Sequence, residues 1–600
     1  MLASLHHDIK SNGRKLTMLV FIILLFLCSW ILGPFPTDLS DSSDSFLKAA
    51  LHPGLSDQNT RLPDDATPFI IRISKELLTT IRYAAIAMSM AVPAGLILGF
   101  LASTAWWPPR ASGKLVRFII APVYFFIRIL ITLMRSVHEL IWALLFLAAL
   151  GQDTITACVA LALPFAGTLA KVFSETIDEQ TPHAFRQASA SGAGSLQAFL
   201  STLIPQSFPE MATYTLYRFE CALRSSAVLG FIGVETIGLS IKRSFENNFY
   251  NELWTELYLL LAVIIIVEIL GSKLRQRLNS IPSSKSQVKL STEPTTRIRQ
   301  LRKAAPRWKM TRFLLWSAII LTALSWFPHA VGIDAQPLTR DNQNIDRIER
   351  TSLFLKKLIP EPVKESGSWA DAAGWIHNLW EKNAQEAVIN TIAMATAAVI
   401  LSSICAWLLL PIASRNLASV KPLGIYNGKT SVLFQLLWKS IGSITRTFFV
   451  VSRAIPEYIY AYLLIGLLGV SAWPLVIALA LHNLGILGRL WGEVIENQPE
   501  SAAQQIALSG SGRLKVYLTT YIPATFNRFL MYLFYRWETC IREATVLGML
   551  GFATLGLQIQ ISRETYRAYD EVIFYVLLGS ALIFIGDLAS FFLRRSLNKT

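Results

Sequence analysis

The residues that could do chemistry are arginines and glutamates inside otherwise apolar stretches, and they occur twice. The run "YRFECALR" at Tyr217–Arg224 reappears as "YRWETCIR" at Tyr535–Arg542, 318 residues later. A charge in the hydrocarbon of a membrane costs about 2.5–3.5 kcal/mol on insertion scales, so it needs a partner or a watery path. The chemistry that this pattern predicts is the binding and passage of a charged solute.

Each copy places a glutamate and an arginine at helical spacing. Glu220 precedes Arg224 by four residues, which is the favourable order for an ion pair on one helix. Glu538 and Arg542 repeat this arrangement. One interpretation is that each pair neutralises itself and faces protein; the other is that the charges line a path.

A second arginine in each copy needs a different partner. Arg218 and Arg536 each precede the glutamate by two residues, which is about 200° around a helix. Glu543 adds one acid in the second copy only. The sequence therefore predicts a local excess of positive charge, which suits an anion.

Three spaced glycines follow each charged run. Glycine lets two backbones approach closely or lets a helix break. We expect the two segments to meet on a pseudo-two-fold axis, where they would narrow a path or form a gate. The glycines are Gly230, Gly233 and Gly238 in the first copy and Gly548, Gly551 and Gly556 in the second.

A third motif, "RSVHELIWA" in the first copy and "RAIPEYIYA" in the second, interrupts a long apolar run. Pro456 is expected to kink its helix because proline lacks the backbone donor and clashes with the preceding turn. The alternative to a functional break is a buried structural one. The charged residues of this motif form further pairs at helical spacing, Arg135 with Glu139 and Arg453 with Glu457.

The chain that carries these motifs is too apolar for a soluble protein. Of its 600 residues, 53% are hydrophobic and 16% are charged, which is typical of polytopic membrane proteins. The net charge of +15 is concentrated in basic segments such as 272–312, which has twelve Lys or Arg and one acid. Such segments indicate cytoplasmic loops beside membrane lipid and argue against nucleic acid as a partner. The five cysteines and eight histidines have no metal-ligand spacing, so no metal site is expected.

Apolar stretches long enough to cross about 30 Å of hydrocarbon occur six times in each half of the chain. The first half is predicted to cover 1–271 with a core of about 75–271, and the second 313–600 with a core of about 386–597. The sequence thus predicts an all-α polytopic membrane protein with about 12 transmembrane helices. The stretches lie near 16–33, 77–104, 116–150, 154–174, 209–232 and 253–271, then near 313–328, 386–411, 432–468, 474–492, 527–550 and 570–592.

The two halves form an internal repeat. From Arg135–Ile241 onto Arg453–Ile559 the offset stays at 318, and about 40 of 107 aligned positions are identical. Upstream, Thr80 aligns with Thr391 at a shorter offset. Because six helices return the chain to its starting side, the halves are predicted to be parallel repeats, unlike the inverted repeats of many secondary transporters.

The basic segments place the N terminus, the linker and the C terminus in the cytoplasm. The long loops at 34–74 and 329–384 are then outside. The first apolar run could be a cleaved signal peptide, but no small-residue cleavage site follows it. Since its counterpart at 313–328 is internal, a retained helix is favoured.

A predicted cytoplasmic loop is also repeated, at 175–208 and 493–526. In each copy a glycine precedes a proline by thirteen residues, Gly192 before Pro205 and Gly510 before Pro523. Apolar residues between them fall at helical spacing. The pattern predicts a short helix, a glycine turn and a second helix that ends at the proline.

This loop resembles the "EAA" loop of ABC importer permeases. The resemblance implies a coupling helix that docks into a groove on the ATP-hydrolysing subunit, and two loops imply two such subunits. In place of the acidic start of that motif, this chain has Arg186 and Gln504. The residues that follow are Gln187 and Ala188 in the first copy and Gln505 and Ile506 in the second.

The chain is not expected to bind the nucleotide itself. The segment "LGIYNGKTS" contains Gly428, Lys429 and Thr430, but Leu423 stands where a P-loop needs its first glycine. We expect no cofactor in this chain and no enzymatic activity; ATP would be bound by partner subunits.

Taken together, the motifs resemble the phosphonate/phosphite-type branch of ABC importer permeases. The Glu, Arg, "VLG" and glycine run and the Arg-x-x-Pro-Glu break carry the resemblance, which covers about 75–275 and 386–597. It implies a type I ABC importer permease fold (MetI-like), with two units fused into one chain in the bacterial inner membrane. It also implies a periplasmic or lipid-anchored substrate-binding protein that delivers the ligand.

Two transport alternatives stay open at this point, and a third alternative, a non-transport membrane scaffold, is disfavoured by the intramembrane Arg and Glu residues. The same architecture could move another solute, such as phosphate, a sulfonate or an amino acid. A different class, a secondary transporter or channel, would work without ATPases, but the doubled coupling loop argues against it.

Overall fold

The structure is a computed structural model that describes residues 19–36, 43–58, 67–104, 114–151, 153–180, 183–279, 308–330, 347–418, 423 and 432–597. Both chain ends, most of the basic linker and the segment with Gly428, Lys429 and Thr430 lie outside the described residues. Regular structure in the described part is helical throughout. The prediction of an all-α chain is therefore confirmed for these residues.

The helices of the first half are long and follow the predicted apolar stretches. They are α1 (Leu19–Leu32), α2 (Ser43–Leu51), α3 (Phe69–Ala102), α4 (Lys114–Ser136), α5 (Glu139–Leu150), α6 (Thr154–Asp178), α7 (His183–Ala190), α8 (Ser195–Ala198), α9 (Ile204–Val228), α10 (Ile237–Glu246) and α11 (Tyr250–Asn279).

The helices of the second half repeat this order after an additional group of short helices. They are α12 (Trp308–Ala330), α13 (Arg347–Lys357), α14 (Glu361–Ser366), α15 (Asp371–Leu379), α16 (Gln385–Ala413), α17 (Val432–Ala454), α18 (Glu457–Leu468), α19 (Ala472–Glu496), α20 (Ser501–Leu508), α21 (Arg513–Val516), α22 (Ile522–Leu547), α23 (Leu555–Glu564) and α24 (Tyr569–Leu597).

Six described helices are long and apolar enough to cross a membrane, and four bent helix pairs raise this number to ten. Two shorter apolar helices, α1 and the segment Trp316–Pro328 of α12, complete the predicted pattern. The apolar runs 116–150 and 432–468 are interrupted at the charged motif, where the sequence predicts a break. Each run is two helices, α4 with α5 at 94° and α17 with α18 at 96°, because the backbone leaves the helix at the charged motif.

The chain forms two compact units that differ from the two sequence halves at the first helix of each. The central unit is Pro53–Ser352, and the flanking unit joins Met1–His52 to Leu353–Thr600. In the flanking unit, the Gly33 carbonyl just after α1 accepts a hydrogen bond from Trp473 Nε1 at 3.0 Å. In the central unit, Trp326 Nε1 of α12 donates to Ser89 Oγ on α3 at 3.0 Å. The first helix of each sequence half therefore packs in the unit that contains most of the other half.

Small residues form the interior of the central unit, where α3 lies along α6. Ala84 and Ala87 on α3 and Ala157 and Ala160 on α6 are fully buried. Lipid tails are as apolar as leucine, so membrane helices gain no hydrophobic free energy by packing together. They associate through small residues because these let the two backbones approach closely. Large apolar side chains are exposed on α1, α4, α12, α17 and α24, the arrangement expected of surfaces that contact lipid.

Candidate functional site

The break between α4 and α5 has the same backbone geometry as the break between α17 and α18. His138 has φ −64° and ψ 146°, and Pro456 has φ −58° and ψ 144°. The proline ring fixes this φ directly. In the first copy, His138 Nδ1 instead accepts a hydrogen bond from the Leu140 N–H at 3.2 Å and caps α5. Two different side chains thus produce one turn.

The acid that follows each break contacts a different element in each unit. Glu139 Oε1 accepts a hydrogen bond from Ser225 Oγ on α9 at 2.7 Å. Glu457 Oε2 lies 4.0 Å from His482 Nε2 on α19. The break is therefore joined to the charged helix α9 in the central unit.

Each charged helix ends at the glycine run in a tight turn. A 3₁₀ turn, Leu229–Ile232, follows α9, and Gly233 has φ +94°. The axis of α10 is bent by 46° from that of the preceding helix, and the bend between α22 and α23 is 44°. Gly551 has φ +112°. Positive φ is strained for residues with a Cβ, so glycine at these two positions permits the turn.

The other glycines in the run permit close backbone approach. A Cβ on Gly230 would lie 2.1 Å from the Leu239 nitrogen, and one on Gly548 would lie 1.5 Å from Thr554 Oγ1. The glycine spacing that the sequence displays is therefore explained locally, by a turn folded back on its own helix.

In both units, a threonine on the long helix that precedes the break fixes this turn. The sequence shows these threonines only as an aligned pair in the repeat and does not indicate their role. Thr80 Oγ1 on α3 accepts a hydrogen bond from the Ile237 N–H at 3.1 Å. Thr391 Oγ1 on α16 accepts one from the Leu555 N–H at 3.3 Å. Both threonines are fully buried.

The predicted pairs of the charged helices have different surroundings in the two units. Arg542 is 3.4 Å from Glu538 in the flanking unit, as predicted. In the central unit, Glu220 forms an ion pair with Arg275 near the end of α11. Arg224 places a guanidinium nitrogen 3.4 Å from Cys221 Sγ. Arg275 was not a predicted site residue because its partner lies on a distant helix.

The remaining two arginines differ even more. Arg536 Nε donates to Asn483 Oδ1 on α19 at 2.6 Å, and its Nη2 lies 3.0 and 3.2 Å from the two Glu543 carboxylate oxygens. Arg218 Nε donates to Tyr214 Oη at 2.9 Å. The Arg218 guanidinium also lies over the rings of Tyr214 and Phe165, 5.3 and 5.9 Å from their centroids.

The repeated loop contains the predicted short helix and glycine turn. Gly192 follows α7 with φ +91°, and Gly510 follows α20 with φ +83°. Gln187 and Gln505 are exposed, whereas Ala188 and Ile506 are half-buried. Both loops also have exposed leucine side chains, namely Leu196, Leu200, Leu508, Leu514 and Leu518.

The prediction that Pro205 and Pro523 end the second helix of the loop is wrong. A π-helical turn, Phe199–Leu203, leads from α8 directly into α9, and Pro205 lies in the first turn of α9. The turn Tyr517–Tyr521 and Pro523 repeat this geometry. A proline is tolerated in the first turn of a helix, and the wider π turn joins the loop to the charged helix without a stop.

The second loop is tied to its own unit by side chains that the first loop does not have. Arg513 donates to the Leu417 carbonyl at 3.1 Å, and its guanidinium lies 4.0 Å from the centroid of the Trp438 ring. Gln504 donates to the Leu423 carbonyl at 3.2 Å. In the first copy, Ser195 and Arg186 occupy the places of Arg513 and Gln504.

An acid before each loop holds the end of the long helix, and sequence reasoning missed it. Asp178 Oδ1 accepts hydrogen bonds from Ser103 Oγ at 2.7 Å and from the Thr104 N–H at 2.9 Å. Glu496 Oε1 accepts one from the Arg415 N–H at 2.8 Å. An acid at both 178 and 496, 318 residues apart, was the available signal.

The chain resembles known membrane transport components over most of its length. A family model described as "Binding-protein-dependent transport system inner membrane component" matches residues 77–279 and 422–600. The phosphate-import permease protein PhnE of Mycolicibacterium smegmatis is 26% identical over 541 residues, which are 88% of this chain and 85% of that protein. The phosphite transport system permease protein PtxC of Stutzerimonas stutzeri is 29% identical over 208 residues, 35% of this chain and 69% of that protein.

Among solved structures, a chain of the methionine ABC transporter MetNI in an inward-facing conformation is 16% identical to this chain. The match covers 36% of this chain and 99% of that chain, with a TM-score of 0.31. That similarity is too low to support a structural comparison.

Proposed function

Because the chain belongs to the family of binding-protein-dependent transport system inner membrane components, we propose that it is the permease of an ATP-driven importer for phosphonate or a related phosphorus oxyanion. The family membership predicted from the motifs is confirmed. The observation that carries the substrate class is the similarity to a phosphate-import permease over 88% of this chain. The shorter match to a phosphite permease supports the same class.

The proposed partners follow from the two repeated loops. Two ATPase subunits would dock on the segments 183–203 and 501–521, whose exposed leucines offer apolar contacts. ATP would be bound by those subunits and no cofactor by this chain. The chain would lie in the bacterial inner membrane with both termini and these loops in the cytoplasm. A periplasmic or lipid-anchored binding protein would deliver the ligand at the opposite face.

The proposed path uses the charged helices α9 and α22 and the turns after them. Arginines suit a phosphorus oxyanion because a guanidinium offers paired donors to its oxygens. The π turns Phe199–Leu203 and Tyr517–Tyr521 connect each coupling loop to a charged helix without a stop. Movement of the loops on ATP binding would therefore be transmitted to the path residues. The residues assigned to the path, either as contacts to the solute or as supports of its walls, are Arg218, Glu220, Arg224, Gly230, Gly233, Arg536, Glu538, Arg542, Gly548 and Gly551.

Inorganic phosphate itself is the second candidate substrate, since the relative with the widest coverage is named as a phosphate-import permease. Uptake of labelled phosphate, phosphite and methylphosphonate would be measured in cells with and without the gene for this chain. The proposal predicts loss of uptake of at least one of the three on deletion and its return on complementation. Unchanged uptake of all three would contradict it.

A further inference from the structure

We propose that the equivalent arginines Arg218 and Arg536 have different tasks: Arg218 contacts the transported anion, and Arg536 is a positioning residue that fixes α22. The inference rests on the proposed function, because it assumes an anionic substrate. It concerns the chemistry of each unit taken by itself.

The contacts of Arg536 hold α22 to a neighbouring helix. Its Nε and Nη2 donate to an amide oxygen on α19 and to both oxygens of Glu543 on its own helix, at 2.6 to 3.2 Å. Its side chain is 9% exposed. An anion that approached this guanidinium would compete for the same donors with the Glu543 carboxylate, which is 15% exposed, and breaking a desolvated pair is costly.

Aromatic rings and a hydroxyl group orient the Arg218 guanidinium. The faces of Tyr214 and Phe165 hold the guanidinium, and a ring attracts a cation without adding a negative charge. The Tyr214 hydroxyl fixes the Nε edge at 2.9 Å. Arg218 is half-buried, whereas Arg536 is buried.

The sequence explains why one fold gives two environments. At the place of Asn483 the first copy has Phe165, and at the place of Glu543 it has Ser225. The Ser225 hydroxyl donates to Glu139 on α5 at 2.7 Å. These two replacements exchange an amide and a carboxylate for a ring and a hydroxyl around an unchanged arginine.

The charge count of the two motifs points the same way. Residues 217–226 contain two arginines and Glu220, whereas 535–544 contain two arginines and two glutamates. Glu220 forms an ion pair with Arg275 on α11. A Cβ on Gly271 would lie 2.1 Å from Glu220 Oε1, so the absence of a side chain there permits that contact. The excess positive charge of the repeat thus belongs to the central unit.

The test compares uptake kinetics in cells that express the whole chain with its native neighbours. The probes are inorganic phosphate and phosphite, and the variants are Arg218→Gln, Arg218→Lys, Arg536→Gln, Glu543→Gln and the double variant Arg536→Gln/Glu543→Gln. The amount of each folded chain in the membrane is measured by size-exclusion chromatography after extraction. Maximal rates are divided by that amount.

Arg218→Gln is expected to raise the KM about tenfold or more, which is the factor for one lost charge-assisted contact, and Arg218→Lys to raise it less. Arg536→Gln is expected to lower the amount of folded chain or the maximal rate with an unchanged KM. Adding Glu543→Gln is expected to recover much of that loss, because the orphaned carboxylate is removed.

An unchanged KM in folded Arg218→Gln, or a KM raised equally by the double variant, would overturn the inference while the proposed function stands. Absence of uptake of every phosphorus oxyanion by the unmodified chain would instead contradict the proposed function. If Arg218→Gln does not fold, the KM of Arg218→Lys is used instead. A raised KM supports the inference, and an unchanged KM overturns it.

Discussion

Thr80 Oγ1 on α3 accepts a hydrogen bond from the backbone N–H of Ile237, the first residue of α10, at 3.1 Å. The same hydroxyl contact joins Thr391 to Leu555 in the other unit at 3.3 Å. Each glycine turn is therefore fixed to the long helix that precedes the break motif. The threonines hold the proposed path in shape without carrying charge.

Replacing Thr80 by Val would leave the Ile237 N–H buried without its acceptor. We expect a loss of about 1–3 kcal/mol in the free energy of unfolding, the usual cost of an orphaned buried group, and slower uptake. The matched control is Thr79→Val, because the exposed Thr79 hydroxyl donates to the Lys75 carbonyl of its own helix. Thermal unfolding of the extracted protein would show a lower Tm for Thr80→Val alone; equal values would contradict the assignment.

Alanine at Gly230 or Gly548 should disrupt the turn. The added Cβ would lie 2.1 Å from the Leu239 nitrogen or 1.5 Å from Thr554 Oγ1, and overpacking of this kind typically costs about 1–3 kcal/mol or more. Gly374 on α15 is the control, since a Cβ there has no neighbour within 4 Å. The yield of monodisperse protein is expected to fall for the first two variants and to hold for Gly374→Ala. A full yield of Gly230→Ala with normal uptake would refute this account of the turn.

The glycine turn of the first coupling loop gives a prediction for energy coupling. Alanine at Gly192 must adopt φ near +91°, which costs roughly 1–2 kcal/mol for a residue with a Cβ. Gly194 lies two residues further along, with no positive φ and no neighbour within 4 Å. In the reconstituted complex, Gly192→Ala should import less solute per ATP hydrolysed, and Gly194→Ala should match the unmodified chain. Equal coupling ratios for the two variants would count against the loop as the coupling element.

His138 and Pro456 predict an asymmetric response to substitution. His138→Ala removes the cap of α5, at a cost of about 1 kcal/mol. His138→Pro also removes the cap, but φ −64° already suits proline, and the ring lowers the entropy of the unfolded chain. We expect the Tm of His138→Pro to exceed that of His138→Ala. The reverse order would mean that the histidine has a role beyond the turn.

Local patterns predicted most of the fold. Apolar runs indicated the long helices, and the duplicated motifs indicated where the chain breaks. The break within the run 116–150 is predictable from the charged motif, but its angle of 94° is not, because apolar composition does not report the angle between two helices. The sequence predicts a helix end at Pro205, and this prediction is wrong because the π turn before the proline has no simple sequence signature.

The partners of the site residues were not predictable in the same way. Arg275 contacts Glu220 and Asn483 contacts Arg536 across helices that are far apart in sequence. Spacing along one helix indicates only neighbours three or four residues away. The difference between Phe165 and Asn483 acquires meaning only when the structure places both beside an arginine.

We propose that this chain is the permease through which ATP hydrolysis moves a phosphorus oxyanion. The most direct measurement is uptake of labelled phosphate, phosphite and methylphosphonate by proteoliposomes that contain the chain alone or the chain with its ATPase and binding protein. The account predicts accumulation of at least one of these anions only in the complete assembly, and only with ATP. Accumulation by the chain alone under an ion gradient, or no accumulation of any of the three by the complete assembly, would contradict it.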